Sequence, residues 1–474
     1  MPATRALSHL AAGLLIAFTL VALSALYWAV VGPNTILRRS DNPRLVEAEA
    51  SIVRGQIVDR SGVLLAVSER DANRRFPRRV YPHPETSPVT GYASQRYGVG
   101  GAEAAYNAIL RGDTLPKDIW GELTNTLLHQ PQHGSDIRLT LDMGVQETLA
   151  GALAGQAGAA VVLAVPSGAV LGLASAPTFD ANTLDADWER LRADPGRPFF
   201  NRALQGSYQP GGAVQTPLLA AGLLDGQPLE TEIAGATMPV NTAGAALTCA
   251  LRLPELALTL REAYGFACPE PFRQLALDLG PRSVQAAFDM FHFGQPPSLA
   301  GFEFQAVSGT DTLEITDDNL EEMALGQGDM VVTPLEMAVM AAAIVNDGNA
   351  PQPYLLVETR APGAAHWEPV QQVRPTTPYA TAATARQLQD LMRSAVARGA
   401  AINAARPGLD IGGHAALAFS GESTQAWFVG FATLPGLRGV AVAVVLENSR
   451  DPGLAADIGG QALAAAHRAL TGGE

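Results

Sequence analysis

Residues 54–66, RGQIVDRSGVLLA, decide the first part of the fold. Two apolar runs, Ile57-Val58 and residues 63–66, flank the polar triplet Arg60-Ser61-Gly62. This pattern predicts a strand, a turn and a second strand. The surrounding sequence is rich in Arg, Pro and Gly and contains further short apolar runs. A β-rich domain is therefore expected over residues 33–135.

A second unit begins near residue 136 and extends to residue 474. The apolar runs Ala159–Val165 and Ala169–Ala174 flank Pro166-Ser167-Gly168, which predicts a β-hairpin. A similar pair, Trp427–Ala432 and Gly439–Leu446, lies near the C-terminus. Strands at both ends of the unit predict an antiparallel sheet that joins its two ends.

Helices are expected at three places. The spacing of Ala102 to Leu110 predicts one helix. Thr333 is a suitable N-cap and Pro334 a suitable first residue for a helix that extends to Asp347. An Ala-rich amphipathic helix from Ala455 to Leu470 closes the chain. The fold class is therefore α+β, with helices flanking an antiparallel sheet.

The N-terminal segment, residues 1–32, is expected to be a cytoplasmic tail and a transmembrane anchor. Residues 10–31 carry no charge and are long enough to cross a bilayer as a helix of about 20 residues. Tyr27 and Trp28 suit an interfacial aromatic belt. The apolar run is longer than that of a cleaved signal peptide, which is the alternative. More arginines follow the apolar run (Arg38, Arg39 and Arg44) than precede it (Arg5). The positive-inside rule therefore does not support a cytoplasmic N-terminus.

Composition excludes several classes of protein. The net charge of −14 argues against a nucleic-acid-binding surface, which needs clustered positive charge. The two cysteines, Cys249 and Cys268, lie 19 positions apart and form no metal-binding pattern, so neither a metal nor a cofactor is expected. They form a disulfide in an oxidising compartment and remain two core thiols in the cytosol.

Many short blocks resemble the class B penicillin-binding proteins from about residue 50 to the end. Residues 54–66 are similar to the opening of the family's dimerisation, or pedestal, domain, and 139–142 to the start of its transpeptidase domain. The resemblance implies a fold like that of the serine β-lactamases for residues 136–474. Further similar blocks are Arg79-Val80-Tyr81-Pro82, Gly101-Ala102-Glu103, Ala176-Pro177-Thr178-Phe179-Asp180, Gly326-Gln327-Gly328 and Ala426-Trp427-Phe428-Val429-Gly430.

The resemblance also locates three motifs that carry the family's chemistry. The family uses a serine and a lysine in S-x-x-K, a second element S-x-N, and K-T-G on a strand. Here the serine position is Gly212 and the lysine position is Gln215. The S-x-N position reads Ala267-Cys268-Pro269, and the K-T-G position reads Gly413-His414-Ala415. All three motifs are therefore degenerate, and no catalytic residue is expected.

The lysine count supports the same conclusion without any alignment. Lys117 is the only lysine of the chain, and it lies in the expected pedestal domain. Neither S-x-x-K nor K-T-G can therefore occur in the transpeptidase-like unit. Arginine cannot replace the lysine as a base, because its pKa above about 12 keeps it protonated.

The resemblance implies a single-pass membrane protein whose bulk lies outside the cytoplasm, with Cys249 and Cys268 paired as a disulfide. The leading hypothesis is a pseudo-transpeptidase that acts as a scaffold or regulator of peptidoglycan synthesis in elongation or division. A polytopic membrane glycosyltransferase or another cell-wall synthesis protein is its expected partner. The alternatives are an atypical acyl transferase or hydrolase that uses Ser207, Thr216 or Ser420, and a non-covalent sensor of muropeptides. A catalytic arrangement of Ser420, His414 and Glu422 is less favoured than the simpler interpretation, in which His414 is a polar residue of a strand without a catalytic role.

Overall fold

The computed structural model describes residues 2–35, 47, 49–70, 75–115, 130–242, 244–295, 297–299, 302, 314–371, 374–420 and 423–472. Lys117 and Glu422 lie outside these ranges. The α-helices are α1 Pro2–Thr35, α2 Ser87–Thr90, α3 Gly101–Ala105, α4 Asn107–Arg111, α5 Met143–Ala152, α6 Leu184–Ala193, α7 Gln215–Asp225, α8 Leu260–Gly265, α9 Pro269–Met290, α10 Leu320–Ala324, α11 Pro334–Val345, α12 Ala382–Arg398 and α13 Pro452–Thr471.

The strands form several sheets, of which two organise the molecule. They are β1 Ile57–Val58, β2 Leu64–Glu69, β3 Arg78–Val80, β4 Tyr92–Ser94, β5 Gly98–Gly100, β6 Asp136–Leu139, β7 Gly158–Val165, β8 Val170–Ala176, β9 Glu232–Ile233, β10 Val240–Thr242, β11 Ala245–Leu247, β12 Leu258–Thr259, β13 Asn349–Pro351, β14 Leu356–Arg360, β15 Glu368–Pro369, β16 Thr376–Pro378, β17 Ile411–Ser420, β18 Ser423–Leu434 and β19 Leu437–Leu446.

The N-terminal helix α1 contains a segment, Ser8–Trp28, that is long and apolar enough to span a membrane. None of this segment is buried inside the protein. Its large apolar side chains, such as Leu15 and Phe18, are more than half exposed. A water-exposed surface of this kind would be unfavourable, whereas a bilayer accommodates it.

The central sheet is antiparallel and has the strand order β17-β18-β19-β7-β8. It joins the two ends of the unit, because β19 near the C-terminus pairs with β7 from Gly439↔Val165 to Leu446↔Gly158. Helix α11 packs on one face and α13 on the other. The predicted α+β fold with a flanked antiparallel sheet is therefore confirmed.

Alternating side chains along β18 divide the hydrophobic core into two layers. Trp427 and Phe431 face the layer that contains α11, whereas Phe428 faces the layer that contains α13. All three are fully buried. Burial of a side chain of this size stabilises the fold by about 1.5–3 kcal/mol. Gly459 of α13 lets this helix approach closely, since a Cβ there would lie 2.1 Å from the Phe428 ring.

The second large sheet has the order β15-β14-β6-β1-β2-β3. Strand β1 pairs in parallel with β6, and β14 adds to β6 in antiparallel register. The sheet thus contains strands from both sides of residue 136, where the sequence predicts a domain boundary. The boundaries at 32/33 and 135/136 remain predictions.

One predicted element differs. The helix expected from Ala102 to Leu110 consists of two short helices, α3 and α4, because Tyr106 between them has φ −110° and ψ 24°. Helix α11 begins as predicted, with Pro334 in its first turn. Thr333 Oγ1 accepts from the Glu336 amide and Glu336 accepts from the Thr333 amide, which completes a capping box.

Candidate active site

The segment that leads to the predicted nucleophile position is held by the sheet and by the glycine-rich turn before α11. The Tyr208 amide donates to the Val332 carbonyl at 2.9 Å, and Trp427 Nε1 donates to the Gln209 carbonyl at 3.1 Å. The Gly211 amide donates to the Gly326 carbonyl at 3.0 Å. Both glycines have positive φ, and a Cβ on Gly211 would lie 2.3 Å from the Leu417 carbonyl oxygen. Only glycine fits this crossing.

Gly212 lies in a short 3₁₀ helix, Gly211–Val214, that leads into α7. A Cβ built on Gly212 would lie 3.0 Å from Ala416 Cβ, 3.6 Å from Ala267 Cβ and 3.7 Å from Gln215 Nε2. Residues from the first two predicted motifs, together with Ala416 one position beyond the third, therefore meet at Gly212. The side chains that surround it are small or neutral, and the position itself carries no side chain.

Gln215 occupies the predicted lysine position and is 1% exposed. Its Nε2 donates to the Cys268 carbonyl at 3.2 Å, which ties the first motif region to the second. Its Oε1 has no hydrogen-bond partner in the described part of the chain. An amide has no titratable proton near neutral pH, so Gln215 can position groups but cannot accept a proton from a nucleophile.

A buried polar stack crosses the site. The His414 ring lies parallel to the Tyr264 ring, with centroids 4.2 Å apart and an interplanar angle of 9°. The Tyr264 hydroxyl and Thr216 Oγ1 are 3.0 Å apart and share a hydrogen bond. Tyr264 is fully buried and Thr216 is 1% exposed. Sequence reasoning missed Tyr264, because only the folded chain brings it beside His414.

His414 is 1% exposed and contacts the backbone of the predicted nucleophile position. Its Nε2 lies 3.1 Å from the Gly212 carbonyl oxygen. In the neutral tautomer that carries its hydrogen on Nε2, this N–H donates to the carbonyl. Burial lowers the pKa of His414 from 6.5 to about 4, and the bond to Gly212 opposes this only in part. The imidazole is therefore neutral at pH 7. Its Nδ1 has no partner among the described residues.

The third motif region lies on the edge strand β17, where side chains alternate between the two faces of the sheet. A Cβ at Gly413 would lie 2.4 Å from the Phe428 ring, on the face away from Gly212. His414 and Ala416 lie on the face that meets Gly212. The sequence predicts Gly413-His414-Ala415 for the motif, and this assignment stays a prediction; of these residues, His414 meets Gly212, whereas Gly413 faces the Phe428 ring.

The second motif region, Ala267-Cys268-Pro269, lies between α8 and α9. Ala267 has φ +49°, and its side chain is a methyl group. Cys268 and Cys249 form a disulfide with an S–S distance of 2.10 Å. Pro269 is the first residue of α9 and provides no side-chain amide. These three side chains therefore present no hydroxyl and no amide.

The alternative nucleophiles are placed less favourably. Thr216 Oγ1 is buried and already bonded to Tyr264. Ser207 lies one residue before the Tyr208 bridge and is half-buried. Ser420 ends β17, while Glu422, its suggested partner, lies outside the described residues.

One cluster away from this site has the side-chain types of a metal site. Ligand atoms of His83, Glu85 and Glu147 lie within 4.8 Å of one another. His83 Nδ1 already contacts Glu85 Oε1 at 3.0 Å, and Glu147 is exposed. Exposed clusters of this kind are common without an ion, and the expected absence of a metal stays a prediction.

Comparisons with known proteins identify the family. A model of the penicillin binding protein transpeptidase domain matches residues 158–468, and one of the penicillin binding protein A dimerisation domain matches residues 54–137. The chain is 30% identical to the peptidoglycan D,D-transpeptidase PbpA of Mycolicibacterium smegmatis, over 98% of this chain and 99% of that protein. It is 27% identical to the peptidoglycan D,D-transpeptidase MrdA of Escherichia coli, over 57% and 46% of the two chains.

Solved structures agree with this assignment. The imipenem acyl-enzyme complex of penicillin-binding protein A from M. tuberculosis has a TM-score of 0.76 and 28% identity, over 88% of this chain and 99% of that one. The crystal structure of PBPA from Mycobacterium tuberculosis has the same TM-score, with 29% identity over 87% and 99% of the two chains. The chain belongs to the class B penicillin-binding proteins, with a dimerisation domain and a transpeptidase domain.

Proposed function

We propose that this protein is a catalytically inactive penicillin-binding protein that acts as a membrane-bound scaffold or regulator of peptidoglycan synthesis. The observation that carries the proposal is the combination of Gly212 at the nucleophile position with a single lysine in the chain, Lys117. Lys117 lies outside residues 158–468, the range that matches the transpeptidase domain.

Acyl transfer by a serine enzyme needs three things at one point. A hydroxyl must attack the substrate carbonyl, a nearby amine must accept the hydroxyl proton, and donors must stabilise the oxyanion that forms. At Gly212 there is no side-chain oxygen to form the acyl bond. The neighbouring Gln215 cannot accept a proton, and the His414 Nε2 is hydrogen-bonded to the Gly212 carbonyl. The first two requirements are therefore unmet at this position.

The remaining motif positions support the same proposal. We keep the third motif at 413–415, where His414 meets Gly212, and the second at 267–269. Ala267 lacks the hydroxyl that would relay protons, and the neutral His414 provides no cation for a substrate carboxylate at pH 7. Each of these groups would have to be restored before the mechanism could operate.

The scaffold role accounts for what the chain retains. The dimerisation domain, the apolar helix α1 and the sheet of the transpeptidase domain all persist. We infer that α1 anchors the protein in the cell membrane and that the folded bulk lies outside the cytoplasm. The Cys249–Cys268 disulfide supports this placement, since such bonds persist in oxidising compartments.

A polytopic membrane glycosyltransferase of elongation or division is the partner that this arrangement suits. It would be contacted through α1 and the dimerisation domain, while the transpeptidase domain regulates or braces synthesis. Co-purification of the glycosyltransferase with the full chain, lost when α1 is replaced by an unrelated membrane helix, would support the contact. Unchanged co-purification after that replacement would remove α1 from the interface.

The inactive site is tested by labelling with a fluorescent β-lactam, which acylates an active serine covalently. The full chain is expected to show no covalent label under conditions that label PbpA of M. smegmatis. Ser207→Ala and Thr216→Val serve as matched variants, because each removes one hydroxyl near the site. Stable labelling of the wild-type chain that either variant abolishes would identify a nucleophile and overturn the proposal.

A further inference from the structure

A cleft lies where the dimerisation domain contacts the transpeptidase domain. It has a volume of about 710 Å³ and is bordered by helices α2 and α3 on one side and by residues 198–205 on the other. This volume falls within the range of about 300–1,000 Å³ that small-molecule sites occupy. Residues 198–205 continue directly into the Tyr208–Gln215 segment, so the cleft adjoins the backbone that carries the inactive site.

The sixteen described residues that line this cleft include no charged side chain. The chain as a whole carries a net charge of −14, so the absence of charge is particular to this surface. A charged ligand would lose its hydration here without gaining an ionic partner. The cleft therefore suits a neutral ligand.

Aromatic rings form one wall. The Phe179 and Phe199 rings meet edge to face with centroids 4.9 Å apart, and Tyr92 lies 6.0 Å from Phe179. The Trp188 ring packs against the Phe199 ring, with centroids 5.1 Å apart. Phe199 and Tyr92 are partly exposed. Interlocked rings keep a fixed geometry, so they present rigid apolar faces to a ligand.

A buried hydroxyl in the lining has no partner. Ser87 is 2% exposed, and its Oγ makes no hydrogen bond within the described residues. Buried polar groups are normally bonded, because an unsatisfied one costs about 1–3 kcal/mol. Two side-chain amides lie nearby. Asn201 Nδ2 donates to the Pro88 carbonyl at 2.7 Å, and Gln205 Oε1 accepts from the backbone N–H of Asn201 at 3.1 Å. The cleft thus combines aromatic faces with hydroxyl and amide groups.

We propose that this cleft binds a neutral saccharide with acetamido groups, of the kind found in the glycan of peptidoglycan. A sugar ring presents C–H bonds on its faces, which pack on aromatic rings, and hydroxyls at its edge, which bond to the side-chain amide of Gln205. An acetamido group matches a side-chain amide as both donor and acceptor. The stem peptide carries charged groups and fits an uncharged cleft poorly. The choice of this sugar rests on the proposed role in peptidoglycan synthesis.

The inference is tested with chitotriose, an oligomer of N-acetylglucosamine, titrated into the full chain in detergent micelles. Saturation-transfer NMR should detect the acetyl methyl groups and give a saturable curve. Gln205→Ala removes an amide from the lining and is expected to weaken binding about tenfold. Gln227→Ala removes the same group from a position outside the lining and should leave the affinity unchanged.

Circular dichroism checks that each variant is folded. No saturable signal from chitotriose up to about 10 mM would overturn the inference, and so would binding of a sugar-free stem peptide in its place. Neither result depends on β-lactam labelling, so failure of the saccharide site and failure of the inactive-enzyme proposal remain distinguishable.

Discussion

His414 provides a direct energetic test of the site's geometry. Its burial lowers its pKa from 6.5 to about 4, so the folded protein keeps the imidazole neutral where the unfolded chain takes up a proton. Between these two pH values the unfolded state binds more protons, and stability falls as the pH falls. At 1.36 kcal/mol per pKa unit, the difference between 6.5 and about 4 corresponds to a loss of about 3 kcal/mol.

The variant His414→Phe isolates this effect. Phenylalanine keeps a flat ring against Tyr264, 4.2 Å away in the wild type, but cannot take up a proton. Urea denaturation of the full chain, followed by tryptophan fluorescence, gives the free energy of unfolding at pH 7 and pH 4. The variant loses the hydrogen bond to the Gly212 carbonyl at both pH values. This loss cancels when the free energy of unfolding at pH 4 is subtracted from that at pH 7.

We expect the free energy of unfolding of the wild type to fall by about 3 kcal/mol more than that of His414→Phe between pH 7 and pH 4. His366→Phe, a change at an exposed histidine, should leave the wild-type profile unaltered. A difference below about 1 kcal/mol between wild type and His414→Phe would refute the buried, neutral imidazole.

Three further changes test other parts of the structure. Burial raises the pKa of Glu336 from 4.5 to about 8, so the contribution of this carboxyl to stability is lost as the pH rises from 4.5 to 8, opposite in sign to the contribution of His414; in urea titrations the free energy of unfolding of Glu336→Gln should therefore lose this component, which the wild type retains. Glu103 is fully buried between Arg54 and Arg79, so Glu103→Gln should lower the free energy of unfolding by about 3–5 kcal/mol, and a loss below about 1 kcal/mol would contradict the buried pair. Reduction of Cys249–Cys268 opens a loop of 19 residues and should lower stability by about 3 kcal/mol, whereas equal thermal unfolding with and without reductant would contradict the bond.

Local signals predicted the helices and hairpins well. The cap at Thr333, the proline after it and the apolar run up to Val345 are all adjacent in sequence, so α11 could be found without any tertiary information. The hairpin of β7 and β8 follows from two apolar runs around Pro166-Ser167-Gly168. The pairing of β14 with β6 joins residues more than 200 positions apart, and no local pattern predicts it.

The candidate site shows the same division. Gly212 and Gln215 are predicted for the first motif because Tyr208-Gln209-Pro210-Gly211 precedes them directly, and this assignment stays a prediction. The register of the third motif is harder to predict, since a shift of one residue along a strand moves every side chain to the other face. The fold places Gly413 against the Phe428 ring and His414 beside Gly212, a difference that no local sequence pattern encodes. The stacking of Tyr264 on His414 likewise depends on the folded chain.

Intact-mass spectrometry after incubation with penicillin G tests the central claim most directly. The account predicts that the full chain keeps its unmodified mass, because Gly212 has no side-chain oxygen to form an acyl bond and the transpeptidase domain has no lysine to activate another hydroxyl. Penicillin-binding protein A from M. tuberculosis, which forms an acyl-enzyme complex with penicillin G, provides the positive control when it is treated in parallel. A stoichiometric mass increase equal to one penicilloyl group on the folded chain would contradict the account.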